Sequence, residues 1–176
     1  MSYKTILVVL NDASRAAALL EAASAIGRPH DAHVIGLYVL PAAEIYADMG
    51  MLLTPSVFEG YRNAFKSKLD QTRDVFEASA SRHKFKAEWR LIDSPYPDIS
   101  TAAAASAHGA DLVVTSQIGD GPDGEVELDL TGRLAMEAGR PILIVPRTGQ
   151  LSPHAEGLAE KAIVGINGTP ESSRAM

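Results

Sequence analysis

The sequence contains no cysteine. Disulfides, a thiol nucleophile and thiolate metal sites are therefore excluded. Basic residues are in deficit: sixteen Lys and Arg stand against twenty-two Asp and Glu, a formal net charge of −6. Sequence-independent nucleic-acid binding needs a basic footprint, which this balance does not supply. No uninterrupted apolar run reaches about eighteen residues, so no membrane span is expected. Aromatic residues are scarce, at 6% with a single Trp. Hydrophobic residues make up 46% and charged residues 22%, an ordinary globular balance that excludes a disordered chain. Alanine is concentrated in residues 15–25 and 101–107, which favours tightly packed helices. The opening MSYKTILVVLNDAS has one Lys and a short apolar run, with polar Asn11 and Asp12 following at once. It lacks a small-residue cleavage site and reads as a strand, not a signal peptide.

Strand and helix signals alternate along the chain. Residues 3–10 (YKTILVVL) form a short apolar, β-branched run, the pattern of a strand buried on both faces. Residues 11–14 offer helix caps, and a helix is expected over 15–26, with Ala16, Leu19, Leu20, Ala23 and Ile26 on one face. Gly27 and Pro29 stop it. A second buried strand is expected over 33–40 and a loop over 41–55. A long amphipathic helix follows over 56–82, with Val57, Tyr61, Phe65, Leu69, Thr72 and Phe76 at helical spacing. The spacing then predicts a strand at 85–92, a helix at 99–108 and a strand at 111–116. A loop at 119–124, a short helix at 130–138 and a fifth strand at 141–146 complete the series. This is the pattern of one doubly wound α/β domain, with five parallel strands covered by helices on both faces over residues 1–146. Such sheets bind ligands beyond the carboxyl ends of their strands, where strand order reverses.

Residues 147–160 (RTGQLSPHAEGLAE) read as a polar linker. Residues 161–176 (KAIVGINGTPESSRAM) then restart the opening pattern, with Ile163-Val164-Gly165-Ile166-Asn167 matching Leu7-Val8-Val9-Leu10-Asn11. This points to a tandem duplication whose second copy stops after one strand and a turn. Sixteen residues cannot bury a core of their own. The strand in 162–166 is expected to be disordered or to pair with a sheet edge, in this or another subunit.

At four segments the chain resembles the universal stress protein family: ILVVLNDAS at 6–14, AHVIGLYVLP at 32–41, SPYPDISTAAAASAHGADLVVTSQIG at 94–119 and GRLAMEAGRPILIVP at 132–146. The fragment IVGINGTPESSRA at 163–175 resembles the family's opening more strongly still. The resemblance implies a Rossmann-like fold, a stress-response regulatory or binding role, a cytoplasmic location and dimerisation through the last strand. The implied dimer is a homodimer through the edge bounded by Pro141 and Pro146, or a pairing of that edge with a second domain. An unidentified protein partner is a further expectation.

Many members of the family bind ATP and others do not. The binders resemble one another in an acidic residue ending the first strand and a G-x2-G-x9-G-[ST] loop after the fourth. Glycines let backbone N–H groups approach phosphates, and the next helix N-terminus adds positive potential. Here Asn11 stands at the acidic position, and Asn167 in the second copy. Ser116 stands where the first glycine belongs, and only Gly119 matches. The closing pair falls on Asp129-Leu130 counted from Gly119, or on Leu128-Asp129 counted back from Pro141. Thr131 keeps a hydroxyl near the helix start. The loop is acidic, with Asp120, Asp123, Glu125, Glu127 and Asp129. A triphosphate carries about four negative charges, and each close like-charge contact costs roughly 1 kcal/mol. The candidate cleft residues are Asn11, Val39, Ser116, Gly119, Asp129 and Thr131. The expectation is a degenerate cleft that does not bind ATP in the usual way. The alternative is a switch protein that binds ATP or AMP with Mg2+.

Other readings stand beside these. Asn11 also suits a cap for the first helix. The acidic loop suits a solvated turn, and its spacing does not match an EF-hand. His30, His33, His83, His108 and His154 have no metal-ligand pattern, so no metal site is expected. Trp89 is expected on a sheet face. Tyr46, Met49, Met51, Leu52 and Leu53 lie in a loop long enough to cover the cleft or bind a partner. Ser14 and Ser116 lack His–Asp partners, so no catalytic triad and no enzymatic activity are expected.

Overall fold

The computed structural model describes residues 2–42, 55–117 and 129–147. Five strands and four helices alternate. They are β1 (Thr5–Val9), α1 (Ala16–Gly27), β2 (His33–Leu40), α2 (Pro55–His83), β3 (Lys86–Asp93), α3 (Ile99–Ala107), β4 (Leu112–Ser116), α4 (Leu130–Glu137) and β5 (Ile142–Val145). All pair in parallel in one sheet of order β3-β2-β1-β4-β5. The doubly wound five-stranded architecture read from the alternating pattern is the one observed, and element ends move by only one or two residues.

β1, β2 and β4 are central strands and are apolar on both faces, as a parallel sheet buried between helix layers demands. One layer packs Leu19, Leu20, Ala23 and Phe76 of α1 and α2 on Ile6, Val8, Leu10 and Val34. The other packs Ile99, Ala103 and Leu134 of α3 and α4 on Leu7, Val9, Leu37 and Val113. The alanines of α1 and α3 let those helices lie close to the sheet. Each fully buried Leu or Ile stabilises the fold by about 1.5–3 kcal/mol.

Close packing also sets Gly36 in the middle of β2. A Cβ there would sit 2.7 Å from ring atoms of Phe76 and 3.1 Å from Leu10 Cδ1. Phe76 in turn stacks near Trp89, with centroids 5.5 Å apart. The absent side chain of Gly36 is thus the space that the α2 aromatic fills. Tyr38, buried in the same strand, donates its hydroxyl to the Phe65 carbonyl at 3.0 Å. Burial pushes its phenol up to about 12.

The two edges are less covered. β3 alternates weakly, and Leu91 is 45% exposed. On β5, Ile144 is 45% exposed. Among the described residues no helix is long and apolar enough to cross a membrane.

Candidate functional site

The chain runs from β1 outward to β2 on one side, and β4 takes the other side of β1. The order therefore reverses between β1 and β4, and the carboxyl ends of these strands open the crevice that such sheets use for ligands. Residues 11–15, 39–42, 116–117 and 145–147 supply the rim.

On the β2 side, Asn11 is 2% exposed and faces Val39. Its amide nitrogen donates to the Val39 carbonyl at 2.7 Å, and its amide oxygen accepts from the Val39 N–H at 3.1 Å. The backbone ladder ends just before, where the Leu10 N–H donates to the Leu37 carbonyl at 2.8 Å. A primary amide has the same donor and acceptor pair as a peptide group. The Asn11 side chain therefore extends the β1–β2 ladder by one more rung after the β1 backbone has turned away.

Asn11 does not cap α1, the other role its position suggested. The N-cap is Arg15, with no side-chain cap bond. Asp12 instead folds the intervening turn on itself, accepting from the Ser14 N–H at 3.0 Å. The extra residues between Asn11 and the first helical turn separate the amide from the helix N–H groups.

On the β4 side, Ser116 ends its strand and its hydroxyl is fully engaged. It accepts from Arg15 Nε at 3.2 Å and donates to the Gln117 carbonyl at 3.0 Å. The Ser116 carbonyl accepts from Thr131 Oγ1 at 3.3 Å, tying the start of α4 to the end of β4. Asp129 is the residue before α4, and its Oδ1 lies over Gly132. The structure thus joins Asn11 to Val39 and Ser116 to Thr131. Gly119, the acidic stretch 120–127, the loop residues Tyr46 to Leu53 and the expected second copy at 161–176 lie outside the described residues.

Sequence reasoning missed two arginines. Arg15 reaches across the crevice mouth to strand ends on the far side. Its Nη2 donates to the Pro146 carbonyl at 2.5 Å and its Nη1 to the Arg147 carbonyl at 3.4 Å. Arg147 returns the contact, with its Nη1 3.1 Å from Asp12 Oδ2 and its N–H 3.3 Å from Gln117 Oε1. A ring of contacts therefore links the exits of β1, β4 and β5 with the entry to α1. One sequence signal pointed there: a cation at a helix N-terminus opposes the helix dipole, so Arg15 requires some other partner.

Above the sheet, Asp98 caps α3 and accepts from the Thr101 N–H at 2.7 Å. Arg133 of α4 lies 3.5 Å from the same carboxylate. Burial alone would raise the Asp98 pKa, but hydrogen bonds from Thr101 and the Arg133 charge outweigh it and hold the carboxyl below its usual 3.8. This pair fixes α3 to α4 behind the crevice. Among the described residues no group of His, Asp and Glu could hold a metal ion.

A doubly wound parallel domain with a switch-point crevice belongs to the broad class of Rossmann-like binding folds. The universal stress protein family model matches residues 2–146, and the chain belongs to that family. Solved structures agree on the fold. A universal stress protein family member from Burkholderia pseudomallei is 23% identical with a TM-score of 0.54, over 82% of this chain and 96% of its own. The Archaeoglobus fulgidus protein in complex with dAMP is 15% identical with a TM-score of 0.53, over 82% of this chain and 98% of its own. A family protein from Arabidopsis thaliana with AMP bound is 16% identical with a TM-score of 0.51, over 86% of this chain and 96% of its own. No curated protein matches the chain.

Proposed function

We propose that this protein is a non-enzymatic, stress-response binding and regulatory module whose crevice has been remodelled away from the usual binding of ATP. The carrying observation is the Asn11 amide. It is buried and committed at both ends to the Val39 backbone, at the position where the family's ATP binders resemble one another in an acidic residue. The acidic composition of residues 120–129 adds repulsion toward a triphosphate. We place the protein in the cytoplasm, as a homodimer through the exposed β5 edge or with that edge covered by the second copy that starts at residue 161. An unidentified protein partner completes this reading.

Isothermal titration of the full chain with ATP and Mg2+ tests the main claim. The expected result is no saturable binding at nucleotide concentrations of about 1 mM, the level at which ΔG° is about −4 kcal/mol. Tight ATP binding would refute it. Replacing Ser116 by Gly together with a Gly-Ser pair at 129–130 restores ATP affinity if the loop alone is at fault. The second reading is a nucleotide-dependent switch, with Mg2+ as the accompanying ion. What favours it is that relatives of the same fold were solved with AMP and dAMP.

A further inference from the structure

Arg15 is placed at a cost. It stands at the positive end of α1, where the helix dipole disfavours a cation. Its three contacts, to the Ser116 hydroxyl and to the Pro146 and Arg147 carbonyls, are all to neutral oxygens. Among the described residues no carboxylate pairs with it. Arg147, half-exposed in its side chain, meets one carboxylate, that of Asp12. Two guanidinium groups from opposite ends of the domain thus converge on the switch point against a single acid. They do so beside Ser116, which occupies the place of a glycine that would let backbone approach a phosphate. Guanidinium bonds to neutral carbonyls are weaker than those to phosphate oxygens, which are charge-assisted and often bidentate. The carbonyl bonds of Arg15 are therefore ones that a phosphate oxygen would replace with stronger ones.

We propose that Arg15 and Arg147 form the seat for a single phosphate group, replacing the missing glycine loop, so that the crevice takes a nucleoside monophosphate in preference to a triphosphate. The inference rests on the reading that the crevice has been remodelled away from ATP rather than abolished. On entry, Arg15 leaves the Pro146 and Arg147 carbonyls and Arg147 leaves Asp12, and both donate to the phosphate oxygens. A phosphate monoester carries about −1.5 to −2 at pH 7 and matches two guanidinium groups. The acidic composition of residues 120–129 disfavours the additional charge of a triphosphate. Asp12, which pairs with Arg147, is the acid that limits the charge the seat accepts.

The test is titration of the full 176-residue chain with adenosine, AMP, ATP and inorganic phosphate, without added metal, for the wild type and for Arg15→Gln, Arg15→Lys and Arg147→Gln. Circular dichroism and the unfolding midpoint check that each variant is folded. AMP is expected to bind at least about ten-fold tighter than adenosine, the equivalent of one charge-assisted hydrogen bond. Arg15→Gln and Arg147→Gln each remove about that factor for AMP and leave adenosine within roughly two-fold, and Arg15→Lys recovers part of the loss. Adenosine binding with no gain from the phosphate overturns the seat and leaves the nucleotide reading standing. Arginine-dependent binding of inorganic phosphate without adenosine binding supports the seat and overturns nucleotide recognition. ATP binding tighter than AMP overturns both the monophosphate preference and the proposed loss of ATP binding. No response to any of the four overturns the seat outright.

Discussion

The two halves of the crevice rim are built from opposite chemistry. On the β1–β2 half, a neutral amide is buried and bonded at both ends to backbone. On the β1–β4–β5 half, two half-exposed arginines are held by hydroxyl, carbonyl and one carboxylate. Both sit at the same end of one sheet, with Asn11 and Arg15 both in the short connection from β1 to α1. The first half is part of the fold, since unmaking it strands buried polar groups. The second is a surface arrangement whose members gain nearly as much from water or an anion as from one another. Binding energy and folding energy are thus separated on one rim.

The largest expected effect lies on the sealed half. Asn11→Ala leaves the Val39 N–H and carbonyl buried without partners and should destabilise the protein by about 2–3 kcal/mol in urea unfolding. Asn11→Asp keeps the acceptor but presents oxygen to the Val39 carbonyl. Its carboxyl should stay protonated in the fold, with a pKa above that of the unfolded chain. The stability it contributes is then present at low pH and lost as pH rises through the folded value. An Asp variant whose stability does not depend on pH would show that this half is less closed than its geometry. Gly36→Ala, deeper in β2, should cost about 1–3 kcal/mol because the Phe76 ring must move.

Behind the open half, Asp98→Ala removes the α3 cap and should cost about 1 kcal/mol. The folded pKa of Asp98 is depressed below 3.8. The capping contribution is therefore fully present above 3.8 and lost as pH falls through the lower folded value, so wild type and variant should converge in acid unfolding. The smallest effect belongs to the ring itself. Arg15→Gln should change stability by less than about 0.5 kcal/mol, since it removes contacts to partly exposed neutral oxygens. A loss of several times that would mean the arginine is part of the fold after all, and the contrast between the halves would fail.

The fold was legible because its signals are local. β-Branched apolar runs gave the central strands, and prolines, glycines and cap residues gave the ends. Gly27 and Pro29 marked the end of α1 in this way. The crevice was legible in position but not in detail. Asn11 stood out as a departure from an acidic residue, but its partner Val39 lies twenty-eight residues away and is set by the register of β1 on β2. Arg15 and Arg147 lie still farther apart, and it takes the β1–β4 and β4–β5 pairings together to bring them into contact. A side chain's choice of backbone partner across strands has no periodicity to betray it.

The short last strand has a consequence for anything that joins the sheet. The Pro141 and Val145 carbonyls accept from β4, so by alternation Ile142 and Ile144 turn their backbone groups to the open side. Pro146, next on that side, has no N–H, and its carbonyl is taken by Arg15. Among the described residues that margin is thus a template two residues long. A strand added there has one register to find, and a third acceptor appears only when Arg15 lets go of Pro146. An anion that draws Arg15 inward would lengthen the seam, so that ligand occupancy and strand addition at the margin act on the same hydrogen bond.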